Sequence, residues 1–252
     1  MNREEYTKMF ELEDQYWWFV GRRRLALDLL QAAPHPQPLS PGGERGVGSI
    51  LDIGCGTGVV SRELQKRGRV LSLDMSDLAL GYCRQRGLTE CVRGDGTRLP
   101  LRGGQFDAIV GLDIFEHIED DLAAFRECFR VLEPGGVLVL SVPAFASLWG
   151  PHDVALHHFR RYRKAEMKKK LESAGFRVER CSYSVFFLFP VVVLTRIIEK
   201  GRTGPARASL PPVPRWLNSA LIWLQQVEAT LIASWKLDLP WGSSVVVVAR
   251  KI

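Results

Sequence analysis

Ile50-Leu51-Asp52-Ile53-Gly54-Cys55-Gly56-Thr57-Gly58 decides the reading of this chain, because an apolar run breaks into glycines at alternate positions, as a strand does when it feeds a tight turn and a helix. Glycine accepts φ > 0 without Cβ strain and lets backbone come close to a ligand, and the helix that follows aims free N–H groups at the turn. Such a turn holds a nucleotide-like ligand. A dinucleotide loop wants G-x-G-x-x-G, whereas here the third glycine, Gly58, comes one residue early and Val59 takes the dinucleotide position. That spacing argues against NAD. Asp52, two residues before the first glycine, would repel a pyrophosphate and suits a ligand with a positive charge near the loop.

Later apolar runs end in acids of their own. Asp74 closes Val70-Leu71-Ser72-Leu73 at about the 20-residue distance where a ribose-binding carboxylate is expected. Arg93-Gly94-Asp95-Gly96 supplies a carboxylate for the exocyclic amine of an adenine, and Phe106 to Asp113 reads as a further buried strand ending in an acid. Strands near 49–53, 69–74, 89–93, 106–111 and 136–142 alternate with helical patterns near 58–67, 76–87 and 119–132. This alternation predicts an α/β fold with a doubly wound sheet whose post-strand loops gather along one ligand-binding edge.

With those residues in order, the chain resembles the class I S-adenosylmethionine-dependent methyltransferases over residues 48–183. Leu51 to Gly58 matches their glycine loop, Asp74 their ribose acid and Asp95 their adenine contact. Leu112-Asp113-Ile114-Phe115-Glu116-His117-Ile118 is similar to the motif after the fourth strand, especially in the quinone-type O-methyltransferase branch, and Leu132-Glu133-Pro134-Gly135-Gly136-Val137-Leu138 to the turn into the fifth. The resemblance implies a mostly parallel, seven-stranded Rossmann-like sheet with an antiparallel C-terminal hairpin. It implies S-adenosyl-L-methionine as cofactor, held by Asp52, Gly54, Cys55, Gly56, Gly58, Asp74, Met75, Asp95, Gly96, Leu112 and Asp113.

The sequence divides into a helical N-terminal segment (1–33), a Pro/Gly-rich linker (34–47), the cofactor-binding core (48–183), an apolar helical insertion (184–242) and a final strand (243–252). The insertion departs from a minimal fold. The chain has 252 residues, 46% of them hydrophobic and 25% charged, which suits one domain with decorations. Its five cysteines are odd in number and form no C-x-x-C pair, so neither a disulfide framework nor a zinc site is expected, and no clustered carboxylates call for a catalytic metal. Met1-Asn2-Arg3-Glu4-Glu5 opens no apolar leader, and the expected location is cytoplasmic.

Acceptor residues are sought in two basic and aromatic clusters. Tyr16-Trp17-Trp18-Phe19, followed by Arg22-Arg23-Arg24, reads either as an amphipathic helix packed on the domain or as a lid. In proteins resembling this one such helices cover the cofactor, so Tyr16, Trp17 and Trp18 would exclude water while Arg22 and Arg23 hold an anionic acceptor. The second cluster follows the fifth strand: His152, His157, Arg160, Tyr162 and Arg163 suit a phosphate or carboxylate, with a solvated helix start as the bland alternative. Methyl transfer needs alignment more than activation. An acceptor hydroxyl also needs a base, and His117 is the first choice, the alternative being a helix cap.

Val185 to Leu194 is an unbroken apolar run, too short to span a bilayer. Trp216, Leu217, Leu221, Leu224, Val227, Leu231 and Trp235 recur at helical spacing. A helical hairpin buried on its own domain competes with a membrane-facing pocket for a lipid-linked acceptor, contacting the inner membrane surface through 185–235, where Lys200, Arg202, Arg207 and Arg215 would meet anionic headgroups. The expected activity is methylation, O-methylation first, of a small hydrophobic or lipid-linked, anionic acceptor. The alternatives are an RNA methyltransferase and a non-catalytic cofactor-binding subunit. A net charge of +6 is a modest excess and no RNA-binding module is recognisable, so nucleic acid is disfavoured. The oligomeric state is not legible.

Overall fold

The computed structural model describes residues 3–33, 48–200 and 211–252; the expected linker, Arg202 and Arg207 lie outside them. The elements run α1 (Arg3–Leu12), α2 (Trp17–Ala32), β1 (Ser49–Ile53), α3 (Val59–Leu64), β2 (Arg69–Asp74), α4 (Asp77–Gln85), β3 (Cys91–Arg93) and β4 (Phe106–Leu112). They continue with α5 (Asp121–Val131), β5 (Leu132–Pro143), α6 (Pro151–Ala155), α7 (Lys164–Ser173), β6 (Phe176–Ser184), α8 (Phe189–Lys200), α9 (Arg215–Ala233) and β7 (Ser244–Lys251).

The strands form one sheet in the order β3-β2-β1-β4-β5-β7-β6, parallel throughout except for β7, which runs antiparallel between β5 and β6. Strand order reverses at β1 and β4, and at such a switch the loops after the strands splay apart and leave a crevice. β4 and β7 are buried along nearly their whole length, as continuous Ala-Ile-Val and Val-Val-Val-Val runs demand of strands covered on both faces. One face packs on Phe115, Phe125, Tyr162, Met167 and Leu171, and the other on Leu25, Leu29, Leu30, Leu64 and Ile232.

Helix starts follow local chemistry. The Ser76 side chain accepts from Ala79 N at 3.4 Å and begins α4, and the Asp120 side chain accepts from Ala123 N at 3.0 Å and begins α5. The strand expected at 136–142 begins earlier, at Leu132, because Leu132 pairs with Phe106 before Gly135 (φ 81°) turns the chain and the register shifts to Ala108 and Val137.

The insertion folds as α8 and α9, and its buried face differs from the expected apolar stripe. Trp216 and Trp235 are exposed, while Gln225, Glu228, Ala229, Ile232 and Ala233 are buried. The cause is α2, which packs against this face of α9 and at Gly21 leaves room for the Gln225 side chain. Glu228, turned inward, accepts from the backbone N–H groups of Val185 and Phe186, which have left the sheet and need an acceptor. Among the described residues no helix is long and apolar enough to cross a membrane.

Candidate active site

The glycine turn adopts the conformation its sequence requires: Gly54, Gly56 and Gly58 have φ of 68°, 54° and 87°. Space matters as much as φ. A Cβ on Gly54 would lie 2.4 Å from Ile114, and one on Gly58 2.6 Å from Leu88 and 2.9 Å from the Cys83 sulfur. Cys55 is buried beside Cys83, with the sulfurs 3.7 Å apart, so at Cys55 the turn presents backbone.

Asp74, at the tip of β2, is held in place by backbone. Gly56 N donates to one carboxylate oxygen at 3.0 Å and Ser76 N to the other at 2.9 Å. Burial raises its proton affinity, and these donors oppose that rise. The remaining lone pairs are free to accept further hydrogen bonds. Met75, next to it, is 65% exposed. Asp95 is exposed and accepts from Thr97 N and Oγ1, and Gly96 lies close under Ile118. Leu112 is buried at the end of β4. These groups fit an adenosyl cofactor through the pre-held acid, the glycine turn and the open edge.

Asp52 sits elsewhere. Its carboxyl points into the domain, where Ser61 Oγ donates at 2.6 Å and Ser61 in turn receives Ser72 Oγ at 2.8 Å, and burial pushes its pKa up to about 7. It pins α3 to β1 beneath the loop. The negative charge expected beside the ligand is therefore inside the protein and partly neutralised.

The N-terminal segment covers the edge with a helix the sequence reading did not single out. Met9 of α1 lies over Gly56, within 2.9 Å of where a Cβ there would be, and Tyr6 is buried near Asp74 and Ser76. Glu13 fastens the helix: its buried carboxylate meets Arg86 Nη2 at 2.6 Å and Thr57 Oγ1, while Arg86 Nε donates to the Thr57 carbonyl at 2.9 Å. The apolar and acidic positions Tyr6, Met9 and Glu13, spaced three and four apart, were the available signal. Tyr16 instead docks on the chain leading into α9, its Oη donating to the Pro211 carbonyl at 3.0 Å, and Trp17 N donates to Asn218 Oδ1 in the first turn of α9 at 2.9 Å. Arg23 is buried and spends Nη1 on the Glu13 carbonyl at 2.8 Å.

Asp113 links the two halves of the edge. Its φ is 51°, its amide donates to Ser141 O at 2.8 Å, Ser141 Oγ donates back to its carboxylate at 3.1 Å, and Arg22 Nη1 pairs with the other oxygen. One turn further, His117 packs edge-on against His158 with ring centroids 4.6 Å apart. Burial, aided by His158, lowers its pKa to about 4, so the imidazole is neutral at ordinary pH. Glu116 beside it is fully buried with both carboxylate oxygens unpartnered, and burial followed by Asp113 holds its pKa well above the usual range. Glu116, His117 and His158 bring ligand atoms within 4.8 Å of one another, a set capable of holding a cation. Sequence reading expected no metal because it looked for clustered carboxylates, whereas this set joins one carboxylate to imidazoles from two distant segments.

The second basic cluster is largely self-satisfied. Asp153 accepts from Gly150 N at 2.8 Å, His158 Nδ1 at 3.0 Å and Arg161 Nε and Nη2 at 2.8 and 2.9 Å; despite burial, those donors hold its pKa far below the usual range. Arg160 pairs with Asp121 at 3.2 Å. Tyr162 is wholly buried and donates to Asp121 at 2.8 Å, so it packs the core rather than facing an acceptor. Burial lowers the pKa of His152 to about 4, Arg196 adding to the effect. His157 and Arg163 are exposed.

A glycine turn, a backbone-held acid after β2 and a seven-stranded sheet with β7 reversed define the class I S-adenosylmethionine-dependent methyltransferase fold. Comparison with known proteins agrees: residues 51–140 match the family described as Methyltransferase domain, and this part of the chain is such a domain. The chain is 34% identical over 134 residues to an S-adenosylmethionine-dependent methyltransferase of Mycolicibacterium smegmatis, covering 52% of each; it thus spans about half the length of that relative. It is 28% identical over 200 residues to the ubiquinone biosynthesis O-methyltransferase of Xanthomonas axonopodis pv. citri, covering 71% of this chain and 82% of that one. A solved S-adenosylmethionine-dependent methyltransferase of Thermotoga maritima shares the fold, with a TM-score of 0.58 at 18% identity over 99% of this chain and 96% of that one.

Proposed function

We propose that the whole chain transfers a methyl group from S-adenosylmethionine to a small, hydrophobic acceptor, an oxygen first. The carrying observation is that the backbone-held Asp74 ends β2 and His117 follows β4, so that both stand on the edge where the parallel strands end, with the His117 imidazole neutral. The bound cofactor supplies an electrophilic methyl on a sulfonium. This chain's residues do the rest: Asp74 and the glycine turn fix the cofactor, α1 and α2 exclude water, and His117 takes the proton of the acceptor hydroxyl. An anionic acceptor has less support than a neutral one, because Arg22, Arg160 and Arg161 each already meet a carboxylate.

A lipid-linked acceptor reached from the inner membrane surface is part of the proposal. Val191, Leu194 and Ile197 of α8 and Trp216 and Trp223 of α9 are exposed apolar side chains, with Arg215 also exposed. A second reading of the same edge is favoured by the orphaned oxygens of Glu116: a divalent cation held by Glu116, His117 and His158 would polarise the acceptor hydroxyl in place of a base. Turnover that survives dialysis against EDTA and is lost in His117→Asn supports the base, and loss restored by added metal supports the cation.

Calorimetric titration with S-adenosylmethionine and S-adenosylhomocysteine tests the core of the proposal. Asp74→Ala should weaken binding at least tenfold, since a hydrogen bond to a charged group contributes about 1.5–3 kcal/mol. Well-folded wild-type protein that binds neither compound would end the methyltransferase reading. A binding protein would next be screened against quinone-like and polyprenyl-linked acceptors with anionic vesicles present.

A further inference from the structure

Two helices far apart in sequence close a small chamber over the tips of β5, β6 and β7, beside Asp113. Trp18, Leu25 and Arg22 of α2 form one wall, Gln225 of α9 another, and Ser141 and Val246 part of the floor. Its volume is about 20 Å³, room for one water-sized group and too little for a whole metabolite. The chamber can take only one end of a molecule.

Its polar atoms are out of balance. Arg22 spends Nη1 on Asp113, but its Nε–H is buried without an acceptor, and Nε2 of Gln225, a residue 8% exposed, is in the same state. A buried donor left unpaired costs about 1–3 kcal/mol, and folded proteins keep few of them. Neighbouring acceptors are already engaged: the Glu228 oxygens by Val185 and Phe186, and those of Asp113 by Ser141 and Arg22. Gln225 is also wedged in place, for a Cβ on Gly21 would lie 1.6 Å from its Oε1.

Charge selects the group that would complete this set. The Arg22 guanidinium is already balanced by Asp113, and Glu228 adds a second buried carboxyl whose pKa burial raises. A carboxylate entering here would add negative charge with no free cation to meet it. An uncharged carbonyl or amide oxygen has two lone pairs, one for each N–H, and brings no charge.

We propose that this chamber is the docking point for the head of the acceptor: a neutral carbonyl-type oxygen that receives the Arg22 Nε and Gln225 Nε2 hydrogens, the rest of the molecule staying outside the chamber. The proposal rests on reading this edge as a methyl-transfer site. Benzamide and benzoate, alike in size and different in charge, are titrated into the full chain saturated with S-adenosylhomocysteine. Benzamide should bind at least tenfold more tightly than benzoate, and Gln225→Leu, which removes one of the two donors, should weaken benzamide at least tenfold. Gln225→Met, which also lacks the N–H and adds no charge, gives the same answer should the Leu variant melt early. Equal affinities, tighter benzoate, no benzamide binding, or a benzamide affinity unchanged in both variants overturns the assignment. The same samples separate the two readings. Failure of wild type to bind S-adenosylhomocysteine overturns the methyl-transfer reading and this proposal with it, whereas retained binding with no benzamide preference overturns this proposal alone.

Discussion

The two ends of the binding edge are built by different means. Over β1 to β3 the work is done by backbone and its nearest neighbours: three glycines with positive φ, and an acid gripped by the N–H groups of Gly56 and Ser76. Over β4 to β7 it is done by side chains that arrive from remote segments. Arg22 reaches Asp113 across 91 positions, and Glu228 reaches Val185 across 43. A backbone-built site tolerates little substitution in its turn and much around it, whereas a site assembled from side chains can exchange one ligand specificity for another by changing a single helix.

That contrast can be attacked first at Gly58. Gly58→Val places a Cβ against Leu88 and Cys83 at a φ of 87°, so strain and overpacking together should cost about 2–6 kcal/mol. Chemical denaturation should show a large loss of stability, and calorimetry no cofactor binding. Glu228→Ala in the other half should also destabilise, by about 1–3 kcal/mol, because two buried N–H groups lose their acceptor. Cofactor affinity per folded molecule should stay as it was; a loss there would mean that the two halves are coupled.

Asp52 gives a subtler test. Its folded pKa, about 7, lies above the unfolded value, so the folded state holds a proton that the unfolded state releases first. Its favourable contribution is complete below the unfolded value and is lost as pH rises towards 7. Asp52→Asn should therefore flatten the decline of stability between about pH 4 and 7, by on the order of 1 kcal/mol or more, in urea melts run across that range. The smallest effect on stability belongs to the outer surface. Trp223→Ser, at a side chain 67% exposed, should change stability by no more than about 0.5 kcal/mol. If α9 meets a bilayer, the same change should weaken co-sedimentation with phosphatidylglycerol vesicles.

Legibility in the sequence follows the same division. The turn from Gly54 to Gly58 and the alternation of strand and helix could be read because each answers a local requirement: a φ and a period. Arg22, Gln225 and Glu228 could not be assigned a joint role, since nothing nearby in sequence marks which helix faces which. α9 misled for a related reason. Its apolar residues recur at helical spacing, yet the face against α2 is set by close approach and by backbone groups that need an acceptor. His158 escaped notice as a neighbour of Glu116 and His117 because α6 and the loop after it turn the chain back on itself.

The position of β7 has a consequence for synthesis. Residues 244–251 are the last of the seven strands to leave the ribosome, yet they fill a slot in the interior of the sheet. Until they emerge, β5 and β6 each carry an open, hydrogen-bonding flank. A nascent chain paused at that point offers two unpaired edges to its neighbours, so misassembly and chaperone demand should be concentrated between the emergence of β6 and that of β7.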